Sequence, residues 1–212
     1  MARTAVVAGG TGLIGRLLVQ DLLDSREYSR VIVLARRALP QTSPKLTTLV
    51  TAFDDLDRLV PKLGADDAYC CLGTTQGKAG RAGLERVDHG MVLDFARAVH
   101  AAGVRRFVVV SAIGASPHSP SFYSRVKARM ERDVAAVGFD AVHIVRPSLL
   151  LGARAERRPA ERLAQKLSPL LSPLFVGRLR KYRPIAAADV AAALRQLALQ
   201  GASGVHIHDL PL

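Results

Sequence analysis

The chain has 212 residues, 49% of them apolar, and a formal net charge of +12 at neutral pH. This length and apolar content predict one globular domain over residues 1–212, with a full hydrophobic core. No apolar run reaches the roughly 18 residues that a transmembrane helix needs, and the first ten residues lack the layout of a signal peptide. We therefore expect a cytoplasmic protein without a membrane-spanning segment.

Apolar runs alternate with helix-like segments along the chain. Strand-like runs are predicted at residues 4–10, 30–37, 45–50, 67–73, 105–114, 140–148 and 204–210. Helical periodicity is found at residues 13–25, 84–103, around Tyr123, and at 186–199. This alternation predicts an α/β fold, a doubly wound and mostly parallel sheet of Rossmann type. The proline-rich, basic residues 152–185 are expected to form a small cap on the substrate side, over the carboxyl ends of the strands.

The first strand runs into the glycine-rich sequence AGGTGLIGRLL. Glycines at a strand–helix turn let the backbone approach a pyrophosphate, while the helix N-terminus supplies N–H donors and the positive end of a dipole. A tight turn that binds nothing is the alternative. We predict that the turn binds a dinucleotide through Gly9, Thr11, Gly12, Leu13, Ile14 and Gly15.

The end of the second predicted strand indicates which dinucleotide is bound. NAD sites usually carry Asp or Glu there, which holds the ribose 2′-hydroxyl. This chain has Arg36 and Arg37 instead. Because a guanidinium suits a 2′-phosphate and a carboxylate repels it, we expect NADP(H) to be preferred over NAD(H). The alternative is that both arginines are solvated surface residues.

The ends of three further strands extend the predicted cofactor site. Asp54 follows the third strand and is expected near the adenine. Leu72, Gly73 and Thr74 end or follow the fourth strand and should pass close to the cofactor. Pro147 stands at the end of the sixth strand, where its fixed φ would make a rigid wall beside the nicotinamide. These assignments are inferences from position in the fold.

Ser111 ends the fifth predicted strand, and the next helix carries Tyr123 and Lys127 one turn apart on one face. Reducing a carbonyl needs a hydride on carbon and a proton on oxygen. Tyr123 would exchange the proton, a nearby Lys127 cation would favour the phenolate, and Ser111 would hydrogen-bond the substrate oxygen. The alternatives are a packing tyrosine, a solvated lysine and a serine that caps a loop.

These motifs resemble the short-chain dehydrogenase/reductase superfamily. The stretches GGTGLIG, CLGTTQGKAG, RVD, YSRVKARME, VRPSLLLG and the terminal IHDL are similar, more narrowly, to the atypical branch that contains the Tat-interacting protein family. The resemblance covers nearly the whole chain. It implies an NAD(P)(H)-dependent oxidoreductase whose catalytic residues are Ser111, Tyr123 and Lys127, with Lys127 also contacting the nicotinamide ribose. Asp88 stands where many members carry an asparagine that takes part in a proton relay.

Two interpretations of function follow. The first is an NADP(H)-dependent oxidoreductase whose partner is a small carbonyl or alcohol. The second is an NADP(H)-sensing regulatory or interaction protein with little catalysis, since only 89 residues follow Tyr123 and leave little room for a substrate domain. A weaker hypothesis is peripheral membrane contact by residues 166–184, which mix leucines with basic side chains but contain helix-breaking prolines.

The basic charge is concentrated in one segment. Residues 154–183 hold nine basic and two acidic side chains, which attract anions or merely reflect an Arg-rich composition. No nucleic-acid-binding motif accompanies this charge, so no nucleic-acid partner is expected.

Cys70 and Cys71 are predicted to be buried thiols, and the histidines at 118, 143, 206 and 208 lack metal-ligand spacing, so no metal is expected. The sequence leaves the oligomeric state open.

Overall fold

The structure, a computed structural model, describes residues 2–60, 63–151 and 183–211. The strands are β1 (Arg3–Ala8), β2 (Tyr28–Ala35), β3 (Leu46–Val50), β4 (Asp67–Cys70), β5 (Arg106–Val110), β6 (Ala141–Pro147), β7 (Leu150–Leu151), β8 (Ile185–Ala186) and β9 (Gly204–Leu210). The helices are α1 (Leu13–Asp24), α2 (Leu56–Leu59), α3 (Gln76–Glu85), α4 (Met91–Ala101), α5 (Phe122–Ala135) and α6 (Ala187–Leu199), with a π-helical turn, Arg86–Gly90, between α3 and α4.

Seven strands form one sheet in the order β3-β2-β1-β4-β5-β6-β9. Each neighbouring pair in this sheet runs parallel. The predicted Rossmann-type α/β fold is therefore confirmed. Strand order reverses between β1 and β4, which makes this the topological switch point where ligands bind in such sheets. The glycine-rich turn after β1 and the turn after β4 meet at this point.

Helices cover both faces of the sheet. On one face the strand side chains pack with Phe95 of α4 and Met130 of α5. On the other face they pack with Leu18 of α1 and Leu194 of α6. Because the central strands bury both faces, they appear in the sequence as continuous apolar runs. The site residues are thus mounted on the carboxyl ends of rigid, buried strands.

Several predicted boundaries were wrong near the site. The predicted helix 84–103 starts earlier, as α3, and the π-helical turn interrupts it before α4. The predicted strands 4–10, 67–73 and 105–114 end early, at Ala8, Cys70 and Val110. In each case the chain leaves the sheet to make contacts of the candidate site, and a hydrophobicity pattern carries no signal for those contacts.

A second, two-stranded sheet flanks the predicted cap. β7 pairs in parallel with β8, and the Ser148 hydroxyl donates to the Arg183 carbonyl. The predicted cap, residues 152–185, lies outside the described residues except for residues 183–185. Most of the basic segment 154–183 and most of the segment 166–184 also lie outside them. None of the helices in the described residues has both the length and the apolar character needed to cross a membrane.

Three histidines of β6 and β9 gather on one face of the sheet. His143 and His206 are register partners, and their rings stack with centroids 5.3 Å apart. His143 Nδ1 lies 3.1 Å from His208 Nε2, so one ring donates to the other. Burial, and then the neighbouring His208 and His206, lower the pKa of His143 to about 4. The sequence spacing did not predict this cluster, because the contacts depend on strand register.

Candidate functional site

The turn between β1 and α1 requires its glycines. Gly9 has a φ of +83°, and the Gly12 N–H donates to its carbonyl at 3.0 Å. A Cβ on Gly15 would lie 2.1 Å from the Gly9 oxygen, and one on Gly9 would lie 2.5 Å from the carbonyl carbon of Cys71. The turns after β1 and β4 are therefore in backbone contact, which only glycine allows.

Helix α1 begins at this turn without a side-chain cap. Gly12 occupies the N-cap, and the first turn contains no acidic residue. The amide groups there can donate to a ligand, and the positive end of the helix dipole faces the loop. Thr11 is exposed, Leu13 half-buried and Ile14 buried in the core. A pyrophosphate suits this donor set, because it needs N–H groups and no competing carboxylate.

The predicted residues for the adenosine half of the cofactor lie on exposed loops. Arg36 and Arg37 are exposed immediately after β2. Asp54 is also exposed, and its carboxylate lies 3.7 Å from Arg86 of the π-helical turn. It follows Phe53, a buried residue held at a φ of +71°. The loop after β3 thus lies beside the π-helical turn.

Asp88, in the π-helical turn, connects the β4 turn to helix α5. Its Oδ2 accepts from the Thr74 N–H at 2.7 Å, and its Oδ1 lies 2.9 Å from Lys127 Nζ. Gly73 is close as well, since a Cβ there would lie 3.3 Å from Asp88 Oδ1. The π-helical geometry, which is frequent at functional sites, thus presents a carboxylate to both elements.

Lys127 is a buried cation. Its side chain is 3% exposed, and its Nζ also donates to the Val110 carbonyl at the end of β5, at 3.3 Å. Burial lowers the pKa of Lys127, but Tyr123 and Asp88 raise it, and the balance lies above the ordinary value. The ammonium group is therefore protonated at neutral pH.

Tyr123 lies one helical turn before Lys127 on α5. It is partly buried, and Lys127 Nζ lies 6.0 Å from the centre of its ring. Ser121 caps the helix by accepting from the Ser124 N–H. Beside Tyr123, the Arg81 guanidinium lies over the Phe122 ring, 4.3 Å from the ring centre. The phenol is thus set at the start of a well-anchored helix, next to a cation.

Ser111 follows β5 and is 3% exposed. Its hydroxyl donates to Glu131 Oε1 at 2.5 Å. Arg146 of β6 binds the same carboxylate twice, through Nε to Oε1 at 2.8 Å and through Nη2 to Oε2 at 2.5 Å. Glu131 and Arg146 were not predicted from the sequence. One signal was available: Tyr123, Lys127 and Glu131 recur every four residues, which places them on one face of α5.

Pro147 ends β6 beside the loop that follows Ser111. It is buried, and its carbonyl accepts from the Ile113 N–H at 3.1 Å. Its predicted place at the carboxyl edge of the sheet is thus the observed one. Leu72, also predicted, is half-buried at the end of the β4 turn and packs against the core.

The predicted residues lie in three places in the structure. Of the catalytic candidates, Tyr123 and Lys127 lie together on α5 beside Asp88, and Lys127 also contacts the carbonyl of Val110, directly before Ser111. The Ser111 hydroxyl is bound to Glu131, two helical turns beyond Tyr123 on α5. The predicted phosphate-binding turn lies next to β4, and the two arginines stand apart at the end of β2. Within the described residues, no group of three potential metal ligands could hold an ion.

Comparison with protein families gives one match over most of the chain. A family model described as NAD(P)H-binding matches residues 9–200. The chain is 35% identical to the rat protein HTATIP2 over 168 residues, which cover 77% of this chain and 69% of that protein. It is 38% identical to the protein fmp52, mitochondrial, of Aspergillus fumigatus over 175 residues, which cover 76% and 72% of the two chains.

Solved structures with the same fold are more distant in sequence. MoeE5 in complex with UDP-glucuronic acid and NAD superimposes with a TM-score of 0.73 at 20% identity, over 96% of this chain and 75% of that one. UDP-N-acetylglucosamine 4-epimerase from Methanobrevibacter ruminantium gives 0.74 at 17% identity, over 100% and 77%. At these identities the likeness establishes the fold alone.

Proposed function

This chain belongs to the NAD(P)H-binding family, as an atypical short-chain dehydrogenase/reductase, and on that premise we propose that it is an NADP(H)-dependent oxidoreductase acting on a carbonyl or alcohol. One observation supports this proposal more strongly than the rest of the site does. Lys127 is a buried cation beside Tyr123, held by Asp88 at the carboxyl edge of the sheet. A buried charge is costly to maintain, so its placement beside a phenol favours a chemical role.

The residues of the chain divide into binding and proton-transfer groups. The glycine turn would hold the pyrophosphate, and Arg36 and Arg37 would bind a 2′-phosphate because both side chains are exposed at the end of β2. A bound nicotinamide would supply or accept the hydride. Tyr123 would exchange the proton with the substrate oxygen, and the Lys127 cation would stabilise the phenolate when the proton leaves.

The proposed binding of a 2′-phosphate by Arg36 and Arg37 is supported by the lack of a competing carboxylate among the described residues. Among the described residues, no carboxylate lies within ion-pair distance of Arg36 or Arg37, so their charges are available to a ligand. A salt-bridged arginine would have to give up that partner first. The proposed preference for NADP(H) over NAD(H) therefore rests on two accessible guanidinium groups at the end of β2, the position that contacts the adenosine ribose in such folds.

Calorimetric titration with NADPH and, separately, with NADH tests the cofactor. We expect NADPH to bind at least tenfold more tightly, because a phosphate–guanidinium pair is worth roughly 1.5–3 kcal/mol. Binding of neither would refute the proposal.

A panel of aldehydes and ketones then tests the reaction, with Tyr123→Phe as the matched variant. This variant should keep its affinity for NADPH and lose turnover; turnover at the wild-type rate would exclude Tyr123 as the proton donor.

A second candidate function is an NADP(H)-sensing protein with little catalysis. Asp88 favours it, because its carboxylate lies 2.9 Å from Lys127 and offsets the positive field that Tyr123 would feel. At such a distance, two opposite charges largely cancel at a third group further away. The tyrosine would then bind cofactor and substrate without efficient proton transfer.

The two candidates give opposite results in a pull-down with and without NADPH. A sensor should recover a different set of partner proteins when NADPH is present. An enzyme should recover the same set in both conditions and should turn over a member of the carbonyl panel.

Cytoplasmic location remains part of the proposal, although the fmp52 relatives are named mitochondrial. Fractionation of cells into cytosol and mitochondria would separate the two locations.

A further inference from the structure

Glu131 occupies an unexpected place in the site. It lies on α5, is 5% exposed, and receives the Ser111 hydroxyl at 2.5 Å. Both of its oxygens also accept from Arg146, at 2.8 and 2.5 Å. A guanidinium can only donate hydrogen bonds, so Glu131 is bound as the carboxylate, which can only accept. The direction of the bond between Ser111 and Glu131 is therefore fixed.

This direction decides what Ser111 offers to a ligand. A serine hydroxyl has one proton and two lone pairs. Since the proton points to Glu131, a group that approaches Ser111 from the cofactor side meets only lone pairs. A carbonyl oxygen also has only lone pairs and cannot bond to it. An alcohol hydroxyl, or the protonated phenol of a tyrosine, can donate to it.

We propose that Glu131 is a positioning residue that makes Ser111 a hydrogen-bond acceptor, so that the site prefers the alcohol form of its substrate to the carbonyl form. This inference rests on the proposed oxidoreductase function. It adds a ground-state preference to that function: the alcohol should occupy the site at a lower concentration than the carbonyl, while the overall equilibrium of the reaction is unchanged. To bind a carbonyl, Ser111 must break a hydrogen bond to a charged group, which lowers affinity roughly tenfold or more.

Removing the carboxylate without leaving a buried unpaired charge needs a double variant. Glu131→Leu with Arg146→Met replaces the ion pair with apolar side chains of similar length, a change that buried pairs often tolerate. The Ser111 proton is then free to turn toward the ligand. The control replaces a second ion pair of α5, Glu85 and Arg129, which joins α5 to α3, is half-exposed and lies 2.6 Å apart. Its variant is Glu85→Leu with Arg129→Met.

The test measures two dissociation constants by ligand-observed NMR in complexes that cannot react. Cyclohexanol is titrated into the NADPH complex and cyclohexanone into the NADP⁺ complex. We expect the E131L/R146M variant to shift the ratio roughly tenfold toward the ketone, and the control variant to leave it unchanged. In a Ser111→Ala background the same replacement should have no effect. An unchanged ratio, or an equal shift in the Ser111→Ala background, would overturn the inference.

A second measurement does not depend on probe affinity. Neutron diffraction from the deuterated NADP⁺ complex locates the Ser111 deuteron directly. A deuteron between Ser111 and Glu131 supports the inference, and one directed at the cofactor contradicts it. Failure of the proposed function is distinguishable, because it would appear in the wild-type protein as absence of NADPH binding or as absence of turnover across the carbonyl panel.

Discussion

Asp88 and Lys127 form a buried ion pair that joins the π-helical turn to helix α5. Their charged atoms lie 2.9 Å apart, and their side chains are 1% and 3% exposed. Removing two charges from water is costly, and each of these groups offsets part of that cost for the other. The pair therefore connects stability to the site, because the same carboxylate holds the Thr74 amide in the β4 turn.

The first prediction follows from this mutual dependence. Asp88→Ala leaves Lys127 buried without its counterion, and should lower the free energy of unfolding by roughly 3–5 kcal/mol at pH 7. Adding Lys127→Met to the same chain should restore much of this loss, because both charges are then absent. Urea denaturation of the wild type, both single variants and the double variant measures the coupling between the two positions.

Asp54→Ala is the control for this cycle. Asp54 also pairs with a basic residue, Arg86, but at 3.7 Å and with both side chains exposed. Exposed pairs contribute roughly 0–1 kcal/mol, so this variant should change stability little. Additive effects of Asp88→Ala and Lys127→Met would show that the two residues are not paired in the folded protein.

The second prediction concerns the glycine turn. A Cβ at Gly15 would lie 2.1 Å from the Gly9 oxygen, and that oxygen is backbone, which cannot rotate aside. Gly15→Ala should push α1 away from β1, lower stability by roughly 1–3 kcal/mol, and weaken NADPH binding at least tenfold. Calorimetry and thermal unfolding measure the two effects separately.

Gly77→Ala is the matched control for Gly15→Ala. Gly77 lies in α3, and a Cβ there has nothing within 4 Å. Alanine is better than glycine inside a helix by roughly 0.5–1 kcal/mol, so this variant should be as stable as the wild type or more stable. If Gly15→Ala bound NADPH as tightly as Gly77→Ala, the turn would not be the pyrophosphate site.

The third prediction separates the two dinucleotides. Arg36→Ala with Arg37→Ala removes the guanidinium groups proposed to bind a 2′-phosphate. The variant should lose roughly ten- to hundredfold in NADPH affinity and keep its NADH affinity, because NADH has no 2′-phosphate. Arg105→Ala is the control, since Arg105 is exposed at the amino end of β5, the opposite edge of the sheet. Equal losses for both cofactors would assign the arginines a structural role.

The sheet and the order of its helices were predictable because burial on both faces leaves continuous apolar runs. The spacing of Gly9, Gly12 and Gly15 predicted a turn whose close contacts the structure confirms. Tyr123 and Lys127 could be placed on one face of a helix, because helical geometry fixes neighbours four residues apart. All of these signals are local in sequence.

The contacts that were missed join residues far apart in the chain. Four-residue spacing places Glu131 on the face of α5 that carries Tyr123 and Lys127, but nothing in the sequence indicates its contacts with Ser111 after β5 and Arg146 in β6. The π-helical turn was likewise missed, since the sequence there has ordinary helical periodicity. Tertiary packing and strand register decide such features, and one sequence does not record them.

The fourth prediction is a loss of stability in mild acid that originates in the histidine cluster. Burial and the nearby His208 and His206 lower the pKa of His143 to about 4, with Arg106 acting in the same direction. An unfolded histidine takes up its proton near pH 6.5. Between pH 6.5 and 4 the unfolded state therefore binds more protons than the folded state, and the free energy of unfolding falls as the pH falls.

His143→Val tests this assignment, because valine suits a buried strand and cannot titrate. Between pH 7 and 5 the wild type should lose roughly 2 kcal/mol more than this variant. Guanidinium denaturation at half-unit pH steps measures the difference. His118→Gln is the control, since His118 is exposed in the loop before α5, and this variant should follow the wild-type curve. Parallel curves for His143→Val and the wild type would mean that His143 is protonated equally in the folded and unfolded states, and that the cluster is open to water.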